Sequence, residues 1–167
     1  CEALGAEYKG LQAGRLGDVG VFGFYPNKQI TTGEGGLIVT DRDDVATMTR
    51  ALRNQGRAPG DTWLEHTYLG YNYRLDEMSA AMGLAQMQRF DDLLARREAV
   101  AAWYAEGLGA LPRVELLPLA STTTRVSWFV YVIRLERGVD RAEVIRALDQ
   151  KGIPARPYFS PIHLQKF

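Results

Sequence analysis

The sequence predicts an α/β fold: part of a larger sheet-and-helix domain over residues 1–111, passing into the beginning of a smaller α+β domain over residues 112–167. Three observations predict it. Two short β-rich runs, residues 18–24 and 36–40, flank a loop punctuated by Pro and Gly. A long stretch of helical period runs from about Asp76 to about Gly107. After Leu111-Pro112 the pattern resets to a strand, a short helix and an extended run.

Taken in order, DVGVFGF alternates and is rich in Val and Phe, which suits a pleated, half-buried strand, and GLIVT reads as a second, buried one. Both are expected to belong to a parallel sheet whose other strands come from chain outside this sequence. Between them, YPNKQITTGEG puts Lys28 in a loop between strands, where chemistry is commonly placed. Residues 43–55 keep the helical period through Val45, Met48 and Leu52, with Asp43 available to cap the start and Gly56 to end it in a left-handed conformation. Residues 57–73 are irregular and aromatic. In the long helix, Met78, Ala81, Met82 and Ala85 form an apolar stripe; Phe90, Leu93 and Leu94, then Val100, Tyr104 and Leu108, extend it. Core packing is its expected use. Beyond Pro112, WFVYVIRL at 128–135 reads as a strong strand. Asp140 and Glu143 have capping-box spacing ahead of a helix that buries Val144, Ile145 and Leu148. Gly152 closes that helix, and IPARPYF reads as a returning strand.

Composition narrows the function classes. The chain has 167 residues, 46% hydrophobic and 24% charged, typical of a globular protein. Twenty basic residues balance twenty acidic ones, so no net field draws it to nucleic acid or an anionic membrane. No apolar run approaches a membrane span and no signal peptide opens the chain. The single cysteine, Cys1, forms no internal disulfide and no metal-ligand cluster is visible, which fits a reducing cytoplasm. The chain starts without Met and ends abruptly after HLQKF, so both ends are expected to be cut.

Lysine is scarce: sixteen of the basic residues are Arg, and the four Lys are Lys9, Lys28, Lys151 and Lys166. Lys28 is the candidate for chemistry. A primary amine that spends time neutral can bond a carbonyl carbon, and a loop beside a Gly-rich turn is where such an amine can be presented. On local pattern alone a solvated loop lysine is the commoner outcome. GEGG at 33–36 matches neither a dinucleotide fingerprint nor a P-loop and marks only a sharp turn.

The run GDVGVFGFYPNKQITTGEGGLIVTD resembles the cofactor-lysine segment of the DegT/StrS-type sugar aminotransferases. The resemblance continues in LRNQG at 52–56, in GYNYRLDEMSAAMGLAQM at 70–87 and in RPYFSPIHLQKF at the end, so it covers essentially the whole chain. It implies the fold-type I architecture of pyridoxal-phosphate transferases and pyridoxal 5'-phosphate as cofactor. Lys28 then matches the lysine that bonds the cofactor aldehyde. Asn72 matches an asparagine that reaches the cofactor phosphate of the neighbouring subunit, which implies a homodimer with shared active sites. Arg74, two residues on, meets substrate phosphate or forms a structural ion pair; the sequence leaves both open. Glu2 falls where the family usually has Gln or His packed near the cofactor ring, and the family's pyridine-nitrogen aspartate would lie three residues earlier, outside this chain. His163 falls near where the family's small domain closes over the sugar and is a candidate substrate contact. His66 is expected to be an ordinary loop residue.

The sequence departs from the family at Gly23, where many members carry a Ser that bonds the phosphate. Either backbone N–H groups, water, or Thr31 and Thr32 take its place, or phosphate binding leans more on Asn72. The activity implied is transfer of an amino group from a donor such as glutamate to a nucleotide-linked ketosugar. The family's dehydratase branch is the alternative, but it has His in place of the lysine. A non-catalytic relative kept as a regulatory or binding protein is the third reading.

Overall fold

The computed structural model describes residues 1–159 and 161–166. The chain divides into two compact units, residues 1–106 with 118–131, and residues 107–117 with the segment from 132 onward.

In the first unit, β1 (Glu7–Tyr8) and β2 (Leu11–Gln12) form a hairpin, and β1 also pairs antiparallel with a later strand, Thr123–Arg125. The hairpin turns at Lys9-Gly10, both at positive φ, the geometry whose twist matches paired strands. Next come β3 (Gly20–Gly23) and β4 (Gly36–Val39), close to where the β-rich runs place them. They pair antiparallel, Gly20 opposite Val39 and Gly23 opposite Gly36. This corrects the expected parallel arrangement for these two strands: the chain doubles back directly through the Lys28 loop, and a parallel pair would need a long crossover.

Helix α1 (Asp43–Arg53) follows. Asp43 is its first residue rather than its cap; the N-cap is Arg42, with no side-chain bond. Beyond the C-terminus, Gly56 is buried at φ +77° and accepts the Tyr68 N–H at 2.9 Å. A Cβ there would stand 1.7 Å from the Tyr68 carbonyl oxygen. Gly56→Ala therefore meets both a disfavoured backbone region and a backbone wall. We expect it to cost the full-length protein about 3 kcal/mol or more, read as a fall in the midpoint of thermal or urea unfolding.

The predicted long helix is two helices, α2 (Glu77–Met87) and α3 (Phe90–Gly109), parted at Gln88-Arg89. Asp76 caps α2 by accepting the Ser79 N–H at 2.9 Å, and that bond, first among the contributors, holds its carboxyl below the usual carboxylate range. The predicted core stripe on α2 faces out. Met78, Ala81, Met82 and Ala85 are exposed, whereas Ser79, Ala80, Gly83 and Gln86 form the more buried face. Periodicity finds an apolar face; it does not say what covers it. Exposed apolar side chains also line a trough of β3, β4 and α1 that includes Val21, Leu37, Ile38, Leu69, Tyr71 and Tyr73.

The second unit contains the end of α3 from Gly107, β5 (Val114–Leu116), β7 (Ile133–Leu135) paired antiparallel with β5, and α4 (Arg141–Asp149); β6 is the Thr123–Arg125 strand of the first unit. Asp140 caps α4 through the Ala142 and Glu143 N–H groups, and Gly152 ends it at φ +72°. Two strand expectations are corrected. Only residues 133–135 of the 128–135 run are β, because Trp128 turns the backbone into the left-handed region at φ +45°. Residues 153–159 form no strand.

Candidate active site

The β3–β4 loop closes on Phe24. Its N–H donates to the Gly35 carbonyl, and its carbonyl accepts the Thr32 N–H at 2.9 Å and the Thr31 hydroxyl at 3.0 Å. Lys28 donates its N–H to the Tyr25 carbonyl at 3.0 Å. Residues 25–27 are exposed, whereas Gln29, Ile30 and Thr32 are buried. Lys28 is thus anchored from its C-terminal side, and its own side chain is only 14% exposed.

The Lys28 Nζ lies 2.9 Å from the Glu2 Oε1 and 4.6 Å from the centre of the Phe129 ring. The amine has a carboxylate as its ion-pair partner and an aromatic face beside it. The Glu2 side chain is 38% exposed, so the ion pair adds about 1 kcal/mol or less; its main effect is to orient the amine. Next to the lysine, buried Gln29 donates through Nε2 to the Glu2 carbonyl and, at 3.0 Å, to the hydroxyl of buried Ser127. The Gln29 Oε1 is buried with no protein partner among the described residues. The left-handed turn at Trp128 delivers Phe129. Arg97 Nη1 donates to the Trp128 carbonyl at 2.8 Å, and the Trp128 indole N–H donates to the Glu98 carboxylate. These contacts offset strain of about 1–3 kcal/mol for a bulky residue in that region.

Asn72, Arg74 and His66 make their contacts elsewhere in the first unit. Asn72 is exposed on an extended segment that runs along the end of α1, with Tyr71 donating to the Leu52 carbonyl at 2.7 Å and Tyr73 to that of Arg53 at 2.9 Å. Asn72 itself bridges Asn54. Arg74 donates to the Asn54 side-chain carbonyl at 2.9 Å and has no ion pair among the described residues. With Arg50, Arg53 and Arg57 it lines an open depression whose one acid, Asp61, is already bonded to Ala58 and Thr67. His66 donates through Nδ1 to the Gln55 carbonyl at 2.9 Å. His163 is exposed on a 3-10 turn, Ile162–Leu164, of the second unit.

Gly23 packs against the N-terminal segment. A Cβ there would stand 3.2 Å from the Cys1 Cβ, so a serine would crowd the N-terminal segment that carries Glu2. The Thr31 hydroxyl donates to the Phe24 carbonyl, and that of Thr32 to the Glu34 carbonyl at 2.6 Å. Gln29, Ser127, Phe129 and Gln86 of α2 escape sequence reasoning. A polar Gln three residues after a helical Gly, in an otherwise apolar helix, is the signal that marks Gln86.

The donor set fits pyridoxal 5'-phosphate in one respect and leaves another open. A half-enclosed primary amine beside an aromatic ring suits an aldehyde on a flat heterocycle. For the phosphate, Gly23 offers no hydroxyl, and those of Thr31 and Thr32 donate within the loop in this structure. No described group of His, Cys, Asp and Glu has the arrangement to hold a metal ion, and no described helix is long and apolar enough to cross a membrane.

The chain matches the model of the DegT/DnrJ/EryC1/StrS aminotransferase family over residues 1–167. It is 44% identical to GDP-perosamine synthase of Caulobacter vibrioides, a match over 98% of this chain and 44% of that protein. Among solved structures it resembles DesV of S. venezuelae, crystallised with a ketimine intermediate, at TM-score 0.85 and 37% identity over 96% of this chain and 42% of that one. It also resembles GDP-4-keto-6-deoxy-D-mannose-3-dehydratase of E. coli, with bound hydrated PLP, at TM-score 0.86 and 26% identity over 94% and 44% of the two chains. The chain therefore spans less than half the length of these relatives, and its fold is part of the fold-type I architecture of the PLP-dependent sugar aminotransferases. The family to which this chain belongs is the DegT/DnrJ/EryC1/StrS aminotransferases.

Proposed function

We propose that the full-length protein is a cytoplasmic, PLP-dependent aminotransferase that moves an amino group from an amino acid such as glutamate to a nucleotide-linked ketosugar. The observation that carries this reading is Lys28 itself: an amine 14% exposed, held 2.9 Å from Glu2 beside the Phe129 ring, in a chain of this family. When bound, pyridoxal 5'-phosphate supplies an aldehyde carbon for that amine and a ring that takes up the electrons released at the substrate carbon. Lys28 Nζ then carries the proton to and from that carbon. Glu2 keeps the amine pointed at the site and is the nearest group able to exchange a proton with it. Phe129 closes one side against water.

Asn72, on its exposed segment, is assigned to the cofactor phosphate of a partner subunit, and the outward apolar face of α2 to the interface that brings the partner there. Arg74 is assigned to a substrate phosphate: its partner is an amide rather than an acid, and three more guanidinium groups share its depression. His163 is kept as a sugar contact. Residues 1–111 are assigned to the end of the cofactor domain and 112–167 to the start of the small one. The lysine separates this reading from the dehydratase reading.

Purified full-length protein is expected to be yellow. Borohydride should bleach it and attach the cofactor mass to the peptide carrying Lys28, read by mass spectrometry. A colourless protein that gains no colour with added pyridoxal 5'-phosphate would favour the binding-protein reading instead.

A further inference from the structure

The Lys28 loop has two side-chain anchors on its buried flank. Gln29 ties it inward to Glu2 and Ser127. The other comes from α2. The Gln86 side chain pairs with the Thr31 peptide as one strand pairs with another: Oε1 accepts the Thr31 N–H at 3.1 Å, and Nε2 donates to the Thr31 carbonyl at 2.6 Å. The second Nε2 hydrogen goes to the Met82 carbonyl, one turn back along the helix, at 3.0 Å. Both donors and the acceptor of the amide are therefore used, and its rotamer is fixed by its own helix.

One turn earlier, Gly83 faces the same loop. A Cβ at Gly83 would meet only the Thr32 Cγ2, at 3.0 Å. The missing side chain lets α2 lie close enough for Gln86 to reach Thr31. The two residues share the more buried face of α2, opposite its apolar stripe.

We propose that Gln86 and Gly83 are a positioning pair for Lys28. Gln86 fixes the peptide three residues beyond the lysine, and Gly83 sets the distance from α2 to the loop. Neither touches the reacting atoms. Their action is on where the Lys28 amine sits, and it rests on the aminotransferase reading of that amine. Misplacement of a reacting group by about 1 Å can cost on the order of 100-fold in rate. The loss should therefore fall on kcat and on cofactor capture, not on binding of sugar or amino donor.

The test uses full-length protein in three forms: wild type, Gln86→Met and Gly83→Ala. Met keeps the length of Gln and removes both bonds to Thr31. Ala favours the helix, so it should hold or raise the melting temperature while pushing Thr32 away. A merely structural role for these residues predicts the opposite for Gly83→Ala, no loss at all. Three quantities are read: exchange of the Thr31 N–H with deuterium, the rate at which apoprotein captures pyridoxal 5'-phosphate, and kcat and KM separately. Both variants should exchange faster at Thr31, capture cofactor more slowly, and lose roughly 10–100-fold in kcat with KM held within about twofold. Should Gln86→Met fail to fold, Gly83→Ala decides alone. A Gly83→Ala protein with wild-type capture and kcat, or one whose loss is in KM, overturns the proposal. Wild-type protein that captures no cofactor overturns the aminotransferase reading instead, and the exchange measurement still reports whether Gln86 holds the loop.

Discussion

Lys28→Ala in the full-length protein is expected to abolish transamination and leave the fold intact. The side chain makes one ion pair and lies against one ring, so its loss removes little packing, and Glu2 is exposed enough to be rehydrated when the ammonium is gone. The chemistry has no such reserve. The other three lysines, Lys9, Lys151 and Lys166, lie outside the β3–β4 loop. Turnover should fall by at least about 10²–10⁴-fold, the contribution of a positioned acid–base group alone, with further loss from the missing covalent bond. Lys28→Arg should fail as badly: a guanidinium stays protonated and cannot bond the aldehyde. Steady-state turnover beside a melting curve checks both. Retention of more than a few per cent of activity by either variant would remove Lys28 from the mechanism.

Mixing two inactive full-length proteins, Lys28→Ala and Asn72→Asp, should restore activity. Aspartate at 72 places negative charge beside the phosphate it is proposed to bind, so that variant should lose cofactor. In a mixed dimer the Lys28→Ala chain lends a sound Asn72 to its partner's site, which still has a sound Lys28. One site is then whole, and the other carries both lesions. Random mixing makes about half the dimers mixed, so about a quarter of wild-type activity should return. If Asn72 served its own chain, every site would stay broken. No recovery, with mixed dimers demonstrated and each variant dead alone, would sink the shared-site proposal. The placement of Asn72 bears on this: it is exposed along the end of α1, apart from the Glu2–Lys28–Phe129 cluster of its own chain.

What the sequence made legible was local. The strands around Lys28, α1 and α4 emerge close to where alternation, helical period and caps put them, because each is decided by its own residues. Errors arise where a distant contact decides. The apolar stripe of α2 looks like core, yet the loop it packs on is polar backbone, so a Gly and a Gln face inward and the methionines face out. Trp128 lies in a run with every β signal, but its carbonyl and indole are taken by Arg97 and Glu98, and the chain turns there. In the site, scarcity and a loop between strands singled out Lys28 and the family resemblance gave its role, Glu2 was named only through that resemblance, and Gln29, Ser127 and Phe129 had no such guide. Their roles come from meeting across the chain, which no local pattern records.

That long-range meeting also sets a time. Glu2 and Ser127 are 125 residues apart in sequence, and Gln29 and Ser127 are 98 apart. A ribosome adding about 5–20 residues per second needs about 5–20 s to pass from Gln29 to Ser127. Through that interval the nascent lysine exists with neither its aromatic neighbour nor the serine that helps anchor the adjacent glutamine. On the reading proposed above, loading of pyridoxal 5'-phosphate onto the site as it is built here would follow synthesis of this stretch of chain.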